Sequence, residues 1–206
     1  MDTVNPPLPD GYSAVPAGKI ANVVTCLEMH ARPPARPLPT TEANLRVERW
    51  VKPELTEYRA LFREIGEEWM WFSRLVMPDE QLSAILSDPE VHVYTLKDGE
   101  RRIGLLELDF RSPNVCELAF FGLVSDAIGQ GAGRILMDTA IDKAWERPIE
   151  RFWVHTCNFD HPGAVSFYQR SGFRPYAFMV EVTDDPRLTG QIRRDAARHV
   201  PLIDAP

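Results

Sequence analysis

A glycine-rich segment in the second half of the chain has the composition of an anion-binding turn. Residues 128–134 read IGQGAGR, between an apolar stretch that predicts a strand and an amphipathic stretch that predicts a helix. Alternating glycines let successive main-chain N–H groups converge, and the start of a helix adds a positive partial charge of about half a unit. This glycine turn (residues 128–134) is therefore predicted to bind an anion, most naturally a phosphate, although the protein's net charge is −7.

Two common phosphate-binding motifs do not fit the glycine turn. A P-loop needs Gly-Lys followed by Ser or Thr, whereas Gly133 is followed by Arg134 and Ile135. A dinucleotide fingerprint needs a third glycine, and its two possible registers place Arg134 or Leu136 there. The turn therefore belongs to another class of phosphate site.

A second motif follows one predicted helix and one predicted strand later. Residues 164–173 read AVSFYQRSGF and predict a helix that carries Tyr168 and runs into a strand. Together the two segments resemble the GCN5-related N-acetyltransferase (GNAT) superfamily, whose motifs are Q/R-x-x-G-x-G/A and A-x-x-F/L-Y-x-x-x-G-F. Ile128 departs from the family's Gln or Arg, which removes one side-chain contact and leaves the main-chain donors.

The resemblance implies an α/β (α+β) fold with a mixed, mostly antiparallel sheet, splayed between its fourth and fifth strands and flanked by helices. It also implies acetyl-CoA as co-substrate and direct acetyl transfer to an amine. Main-chain groups near Leu123 and Val124 would bind the pantetheine arm. The N–H groups of the glycine turn would bind the pyrophosphate. The predicted cofactor-binding residues are Leu123, Val124, Gly129, Gln130, Gly131, Ala132, Gly133, Arg134, His161 and Ala164.

Tyr168 is the predicted proton donor, because it matches the family tyrosine that reaches the thioester sulfur, and a departing thiolate benefits from a proton. Glu117 is the predicted base. It is the only charged residue in the apolar stretch 115–124, and it precedes Gly131 by 14 residues, the offset of the base glutamate in histone-acetylating relatives. Glu107 and Asp109, acting through a water chain, are the alternatives.

Strand alternation predicts the surroundings of Glu117. It places this side chain on one face with Ala119, Phe121 and Leu123, and apolar neighbours of this kind raise the pKa of a carboxyl group. A raised pKa suits a base that works near neutral pH.

The acceptor would be the amine of a small molecule, a peptide or a protein. In GNAT proteins the first two helices and their loop line the acceptor end, and here this loop reads EEWMWF over residues 67–72. Its two acids could hold a cationic amine beside the aromatic rings. The predicted substrate-binding residues are Trp69, Trp71 and Phe72. A non-catalytic acyl-CoA-binding sensor or partner subunit is the alternative function.

The elements that position these residues run in the order β-α-α-β-β-β-α-β-α-β over residues 41–183, the predicted acyltransferase domain. Residues 1–40 form a proline-rich extension, in which residues 19–29 predict a strand added to the edge of the sheet. Residues 184–206 form a tail with an arginine-rich stretch that is either solvated or a docking arm.

Composition narrows the class of protein. A chain of 206 residues with 44% hydrophobic residues predicts one folded domain, and an acidic pI of about 5.3 argues against a general nucleic-acid partner. The absence of a long apolar run and of a basic, apolar start predicts no membrane partner. Three cysteines without CxxC spacing predict a reduced, cytoplasmic protein. His155, Cys157 and His161 are close in sequence and could bind a metal by their residue types, but a metal site needs four converging ligands, so we predict none here. The added strand and tail suit a homodimer.

Overall fold

The computed structural model describes residues 5–34, 37 and 44–204. The strands are β1 (Lys19–Met29), β2 (Leu45–Arg49), β3 (Val91–Asp98), β4 (Arg101–Asp109), β5 (Val115–Leu123), β6 (Arg151–Cys157) and β7 (Arg174–Asp184). The helices are α1 (Leu55–Gly66), α2 (Ser73–Val76), α3 (Asp79–Ser87), α4 (Ala132–Trp145) and α5 (Ala164–Arg170).

The seven strands form one sheet in the order β2-β3-β4-β5-β6-β1-β7. Every neighbouring pair is antiparallel except β5 and β6, which are parallel. The predicted α/β (α+β) class with a mixed, mostly antiparallel sheet is therefore confirmed. The predicted element order holds from β2 to β7, with the short α2 added.

The strand predicted over residues 19–29 is present, but its predicted place at the sheet edge is wrong. β1 lies between β6 and β7 and is antiparallel to both, with Val24 opposite Cys157 on one side and Met179 on the other. An alternating apolar pattern does not distinguish an edge strand from an interior strand, since both present the same two faces. Residues 19–29 are thus an integral part of the sheet.

A β-bulge at Ala119 decides which side chains share a face of the sheet. Glu107 of β4 lies opposite Phe120, whereas Leu108 lies opposite Leu118, so Ala119 has no partner residue on β4. The extra residue reverses the alternation beyond it. Glu117 therefore shares its face with Phe120 rather than with Phe121 and Leu123, and the predicted set of neighbours is wrong.

Helices cover the two faces of the sheet. On the Glu117 face, a Cβ at Gly122 would lie 2.4 Å from Ile65 of α1 and 3.0 Å from Trp71, so this glycine permits close packing. On the opposite face, a Cβ at Gly104 would lie 3.2 Å from Leu136 of α4. Both helices are amphipathic, with apolar residues at helical spacing buried against the sheet: Tyr58, Leu61, Phe62 and Ile65 in α1, and Leu136, Met137, Ala140, Ile141 and Ala144 in α4. Leu55, at the start of the α1 face, is half-buried.

The tail packs against the domain rather than extending into solvent. Arg187 and Asp185 form a buried ion pair at 2.8 Å, and Arg187 also donates to the carbonyl oxygen of Val200. A second apolar cluster joins β1 and the α1–α2 loop to the tail: Ile20, Met70, Phe159, Ile192, Ala196, Ala197 and Val200. Within the described ranges, no helix is long and apolar enough to span a membrane.

Candidate active site

The parallel strands β5 and β6 separate partway along their length. Their pairing covers only three positions and ends where Glu117 lies opposite Trp153. Beyond this point a cleft of about 790 Å³ opens between them. Its walls come from β1, β4, β5, β6, β7, the glycine turn, α5 and the α1–α2 loop. The cleft therefore connects the two faces of the sheet.

The glycine turn forms one end of the cleft and presents free main-chain donors. Gly129 and Gly131 have φ angles of 87° and 83°, a left-handed conformation that favours glycine. In the described part of the chain, no hydrogen bond engages the five consecutive N–H groups from Gly129 to Gly133. A Cβ at Gly129 would meet no atom of the described residues within 4 Å. The turn therefore presents five main-chain donors at the start of α4 without a partner among the described residues.

Two of the predicted main-chain contacts are already used within the protein. The N–H of Arg134 donates to the carbonyl oxygen of Gly131 at 3.0 Å, so the free donors end at Gly133. The N–H of Val124 donates to Ile103, and its carbonyl oxygen accepts from Ala127, both at 3.0 Å. The N–H of Val124 is therefore not available to a ligand, and its carbonyl oxygen already accepts one hydrogen bond.

Leu123 has the opposite orientation. Because main-chain groups of successive strand residues point to opposite sides, and those of Val124 are directed away from the cleft, Leu123 directs its own toward the gap. Its side chain also lines the cleft. Leu123 stays a predicted contact.

Most of the other predicted site residues line the cleft. Gln130 and Ala132 do not line it, although their main-chain N–H groups have no hydrogen-bond partner among the described residues. The side chains and glycine positions that do line it are Trp69, Trp71, Phe72, Glu117, Leu123, Gly129, Gly131, Gly133, Arg134, His161, Ala164 and Tyr168.

Tyr168 lies beside the gap on the α4–α5 face. Its ring packs edge-on against Phe121 of β5 and Phe173, with centroids 6.3 and 5.9 Å apart. Only 7% of the residue is exposed, and burial raises the pKa of its hydroxyl well above the ordinary value. In the described part of the chain, no hydrogen bond engages this hydroxyl. Tyr168 thus stays protonated, with its O–H available to a ligand.

Glu117 lies at the point where β5 and β6 separate. Burial raises its pKa from 4.5 to about 7, and the negative charge of Asp109, directly opposite on β4, adds to the rise. Asp109 itself stays ionised: burial would raise its pKa, but hydrogen bonds from Arg111 outweigh burial and lower it. Glu117 can therefore take up and release a proton near neutral pH.

His155 lies beside Glu117, a contact that the sequence alone does not indicate. Its Nδ1 lies 3.6 Å from Oε1 of Glu117, and burial lowers the pKa of the imidazole. The pair thus places a neutral imidazole beside a carboxyl group that is half protonated near pH 7. Because Glu117 and His155 lie on different strands, only the register between β5 and β6 reveals the contact.

The alternative bases are engaged in other contacts. Glu107 is fully buried, accepts from Tyr58 at 2.7 Å and forms an ion pair with Arg74. Asp109 accepts from the guanidinium of Arg111 at 3.0 Å. Glu117 is therefore the better placed of the three carboxylates to exchange a proton with a ligand.

The predicted acceptor residues occupy three different positions in the cleft wall. Trp71 packs between Gly66 and Gly122, and its indole N–H donates to Asp160 at 3.2 Å. Trp69 contacts the ring of His161, with centroids 5.5 Å apart, and Phe72 joins the second apolar cluster. The wall is thus aromatic and held in place by packing.

The two acids of the acceptor loop are not available for an amine. Arg193 of the tail donates to Glu67 at 2.8 Å and to Glu68 at 3.2 Å. The arginine-rich stretch is therefore a docking arm that binds the protein's own loop. The prediction that Glu67 and Glu68 hold a cationic acceptor is corrected accordingly.

The loop between β6 and α5 braces the cleft. Asp160 accepts hydrogen bonds from Thr156 at 2.6 Å and from the N–H of Cys157 at 3.0 Å, besides the bond from Trp71. His161 accepts from the N–H of Gly163 through Nδ1 at 3.0 Å. In the described part of the chain, no group of three or more His, Cys, Asp or Glu side chains could hold a metal ion.

Comparison with known proteins agrees with this geometry. The sequence model of the acetyltransferase (GNAT) family matches residues 48–173, more than half of the chain. No curated protein sequence matches.

Solved structures share the fold. A GCN5-related N-acetyltransferase from Sphaerobacter thermophilus aligns with a TM-score of 0.59 and 15% identity over 80% of this chain and 52% of its own. A GCN5-related N-acetyltransferase from Kribbella flavida aligns with a TM-score of 0.53 and 18% identity, over 84% of this chain and 63% of its own. An aminoglycoside acetyltransferase from an uncultured soil metagenomic sample aligns with a TM-score of 0.51 and 20% identity, over 62% of this chain and 87% of its own. The chain spans less than two thirds of the first two proteins. At these identities the alignments show the fold alone, and the match to the family model shows that the chain belongs to the GNAT acetyltransferase family.

Proposed function

We propose that the protein transfers an acetyl group from acetyl-CoA directly to the amine of a small molecule, a peptide or a protein. One observation carries the proposal. A single cleft joins an anion cradle, a tyrosine hydroxyl without a partner and a carboxyl group that titrates near neutral pH. Acetyl transfer from a phosphate-bearing thioester to an amine needs all three.

The residues at the glycine turn fit the phosphates of acetyl-CoA. Five N–H groups at the start of α4 supply donors and the positive end of the helix dipole. Leu123 would bond the pantetheine arm through its main chain. Arg134, His161 and Ala164 line the same cleft and would contact the rest of the co-substrate.

The reaction requires proton transfers at the amine and at the sulfur, and the two sides of the gap provide them. Acetyl-CoA supplies the acetyl group as a thioester, so the new C–N bond forms as the C–S bond breaks. Glu117 takes one proton from the ammonium, directly or through a water molecule, so that the neutral amine attacks the thioester carbon. The second proton that the nitrogen loses as the C–S bond breaks leaves to solvent through the cleft. Tyr168 donates its proton to the departing sulfur, and its buried hydroxyl recovers one from solvent through the cleft.

His155 neighbours the base and makes no hydrogen bond to it. A neutral imidazole 3.6 Å from Glu117 adds no fixed positive charge beside the carboxyl group. The lowered pKa of His155 keeps the imidazole uncharged in the range where Glu117 ionises. Glu117 therefore takes up and releases one proton near neutral pH, and the two residues form no fixed ion pair.

The Tyr168→Phe variant tests the proposal against the alternative of a non-catalytic acyl-CoA-binding protein. We expect the rate of thiol release from acetyl-CoA with an amine panel to fall about 100-fold, because the leaving thiolate loses its proton donor. The affinity for acetyl-CoA should stay within about twofold, since the ring remains.

Phe167→Leu on the same helix provides a matched control for packing. Acetyl-CoA binding without thiol release from any amine, in the unmodified protein, would instead establish the sensor or partner-subunit function. An unchanged rate in Tyr168→Phe would remove the tyrosine from the mechanism.

A further inference from the structure

The cleft continues past Glu117 and His155 to a second carboxylate that the mechanism does not use. β1 and β7 extend the wall on the Glu117 face, and Glu181 of β7 lines the cleft there. The strand register places Glu117, His155, Asn22 and Glu181 on one face, because an even number of residues separates each from the position opposite the previous one. Three interstrand spacings across the sheet, roughly 14 Å, and an offset of six residues along the strands, roughly 20 Å, separate the main chains of Glu117 and Glu181.

Asn22, opposite Glu181 on the neighbouring strand β1, holds the Glu181 side chain in position through a hydrogen bond. It is 5% exposed, lines the cleft and donates through its amide nitrogen to Oε2 of Glu181 at 3.0 Å. Its amide oxygen has no hydrogen-bond partner in the described part of the chain. A buried acceptor of this kind needs an N–H donor, and no described protein group supplies one.

Charge balance distinguishes Glu181 from the other carboxylates of the cleft. Asp109 is paired with Arg111, and Asp160 accepts three hydrogen bonds. Glu181 forms no ion pair among the described residues and has only the neutral Asn22 as a partner. Glu181 is exposed and lines the cleft.

Part of the wall on this face is apolar. Val24 of β1, Met70 and Phe72 line the cleft there, beside polar residues such as Thr156 and Thr183. An acceptor that extends from Glu117 to Glu181 would therefore have an apolar middle and a cationic group at each end.

We infer that Glu181, positioned by Asn22, is a specificity-determining residue that binds a second ammonium group of the acceptor, so the preferred acceptors are linear amines with two cationic ends. This inference rests on the proposed function. One ammonium is deprotonated at Glu117 and acetylated, while the other stays charged, bonded to Glu181 and able to supply the N–H that the Asn22 amide oxygen lacks.

The test compares two matched series of acceptors. Linear diaminoalkanes from diaminobutane to diaminodecane are measured beside monoamines with the same carbon chains, by thiol release from acetyl-CoA. We expect kcat/KM to favour the longer diamines over their monoamine counterparts by about tenfold or more. Glu181→Gln should remove this preference and leave the monoamine rates unchanged. Glu100→Gln, the same change on an exposed turn outside the cleft, is the matched control.

The outcomes separate the inference from the proposed function. Equal rates for diamines and monoamines, or an equal loss for both in Glu181→Gln, would overturn the role of Glu181 and leave N-acetylation intact. If no amine releases thiol, the proposed function fails, and calorimetric titration of diaminodecane into the protein with coenzyme A decides the inference. Binding that Glu181→Gln weakens would support it, and absent or unaffected binding would overturn it.

Discussion

The two ends of the cleft use different kinds of functional group: main-chain N–H groups at one end and side chains at the other. At the glycine turn, the five free donors are main-chain N–H groups, held by left-handed backbone at Gly129 and Gly131. At the opposite end, the functional groups are side chains on three strands of the sheet: Glu117 on β5, His155 on β6 and Glu181 on β7.

This difference teaches how each end can change. Main-chain donors bind a phosphate whatever the neighbouring side chains are, provided that the backbone keeps its conformation. The side-chain end changes its chemistry with a single substitution, because the strands that carry it remain paired. Cofactor binding should therefore be sensitive to backbone conformation, and acceptor chemistry to the identity of individual carboxylates.

Glu117→Gln should break the side-chain end most severely. We expect kcat to fall about 100-fold or more, because the substrate ammonium loses the group that takes its proton before the amine attacks. In the unmodified protein, kcat/KM for the acceptor should rise with pH through an apparent pKa near 7, since Glu117 must be ionised to act. The variant should lack this limb of the profile. A rate within about threefold of the original would show that a water chain serves the base instead.

The same substitution should have the opposite effect on folding stability at alkaline pH. Because the folded-state pKa of Glu117 lies above its unfolded value, the carboxyl group stabilises the fold fully below about pH 4.5, and this contribution is lost as the pH rises through 7. From pH 5 to pH 8, Glu117→Gln should gain stability relative to the original protein by about 2 kcal/mol.

Urea unfolding at both pH values measures this gain, with Glu100→Gln as the control on an exposed turn. A difference in stability that stays constant with pH would contradict the raised pKa of Glu117.

The contrast between the ends also explains which features the sequence could reveal. The glycine turn and Tyr168 lie in contiguous motifs, and a contiguous motif determines its own local backbone. The carboxylate face depends on the bulge at Ala119, which no local pattern indicates and which moves Phe121 and Leu123 to the face opposite Glu117. The predicted neighbours of Glu117 were therefore wrong, while its location on β5 beside the cleft was correct.

Long-range pairing accounts for the remaining differences. β1 pairs with β7 across 146 to 165 residues, and Arg193 reaches Glu67 across 126. Hydrophobic alternation cannot choose between neighbouring strands, and an arginine-rich stretch has the same composition whether it is solvated or docked. The Glu117–His155 contact and the Asn22–Glu181 contact follow from this pairing, so they could not be predicted from sequence spacing.

Gly131→Ala should weaken the main-chain end by a smaller amount. A φ of 83° strains any residue with a Cβ by about 1–2 kcal/mol, so the backbone would relax and turn its N–H groups away from a common point. We expect the dissociation constant for coenzyme A to rise about tenfold, measured by calorimetry, with kcat for saturating substrates little changed. Unchanged affinity would show that the turn is not the phosphate site.

Gly133→Ala should produce the smallest effect and separate the two requirements for glycine in this turn. Gly133 lies in the first turn of α4 without a positive φ, and an added Cβ would meet only Leu123 at 3.6 Å and Phe167 at 3.9 Å. Alanine should therefore stabilise the helix by about 0.5–1 kcal/mol. The methyl group would nevertheless stand in the cleft, so coenzyme A should bind less tightly although thermal stability increases. If both stability and affinity increase, glycine at this position is needed neither for the backbone conformation nor for the approach of the ligand. Phosphate binding by the turn would then tolerate a side chain at residue 133.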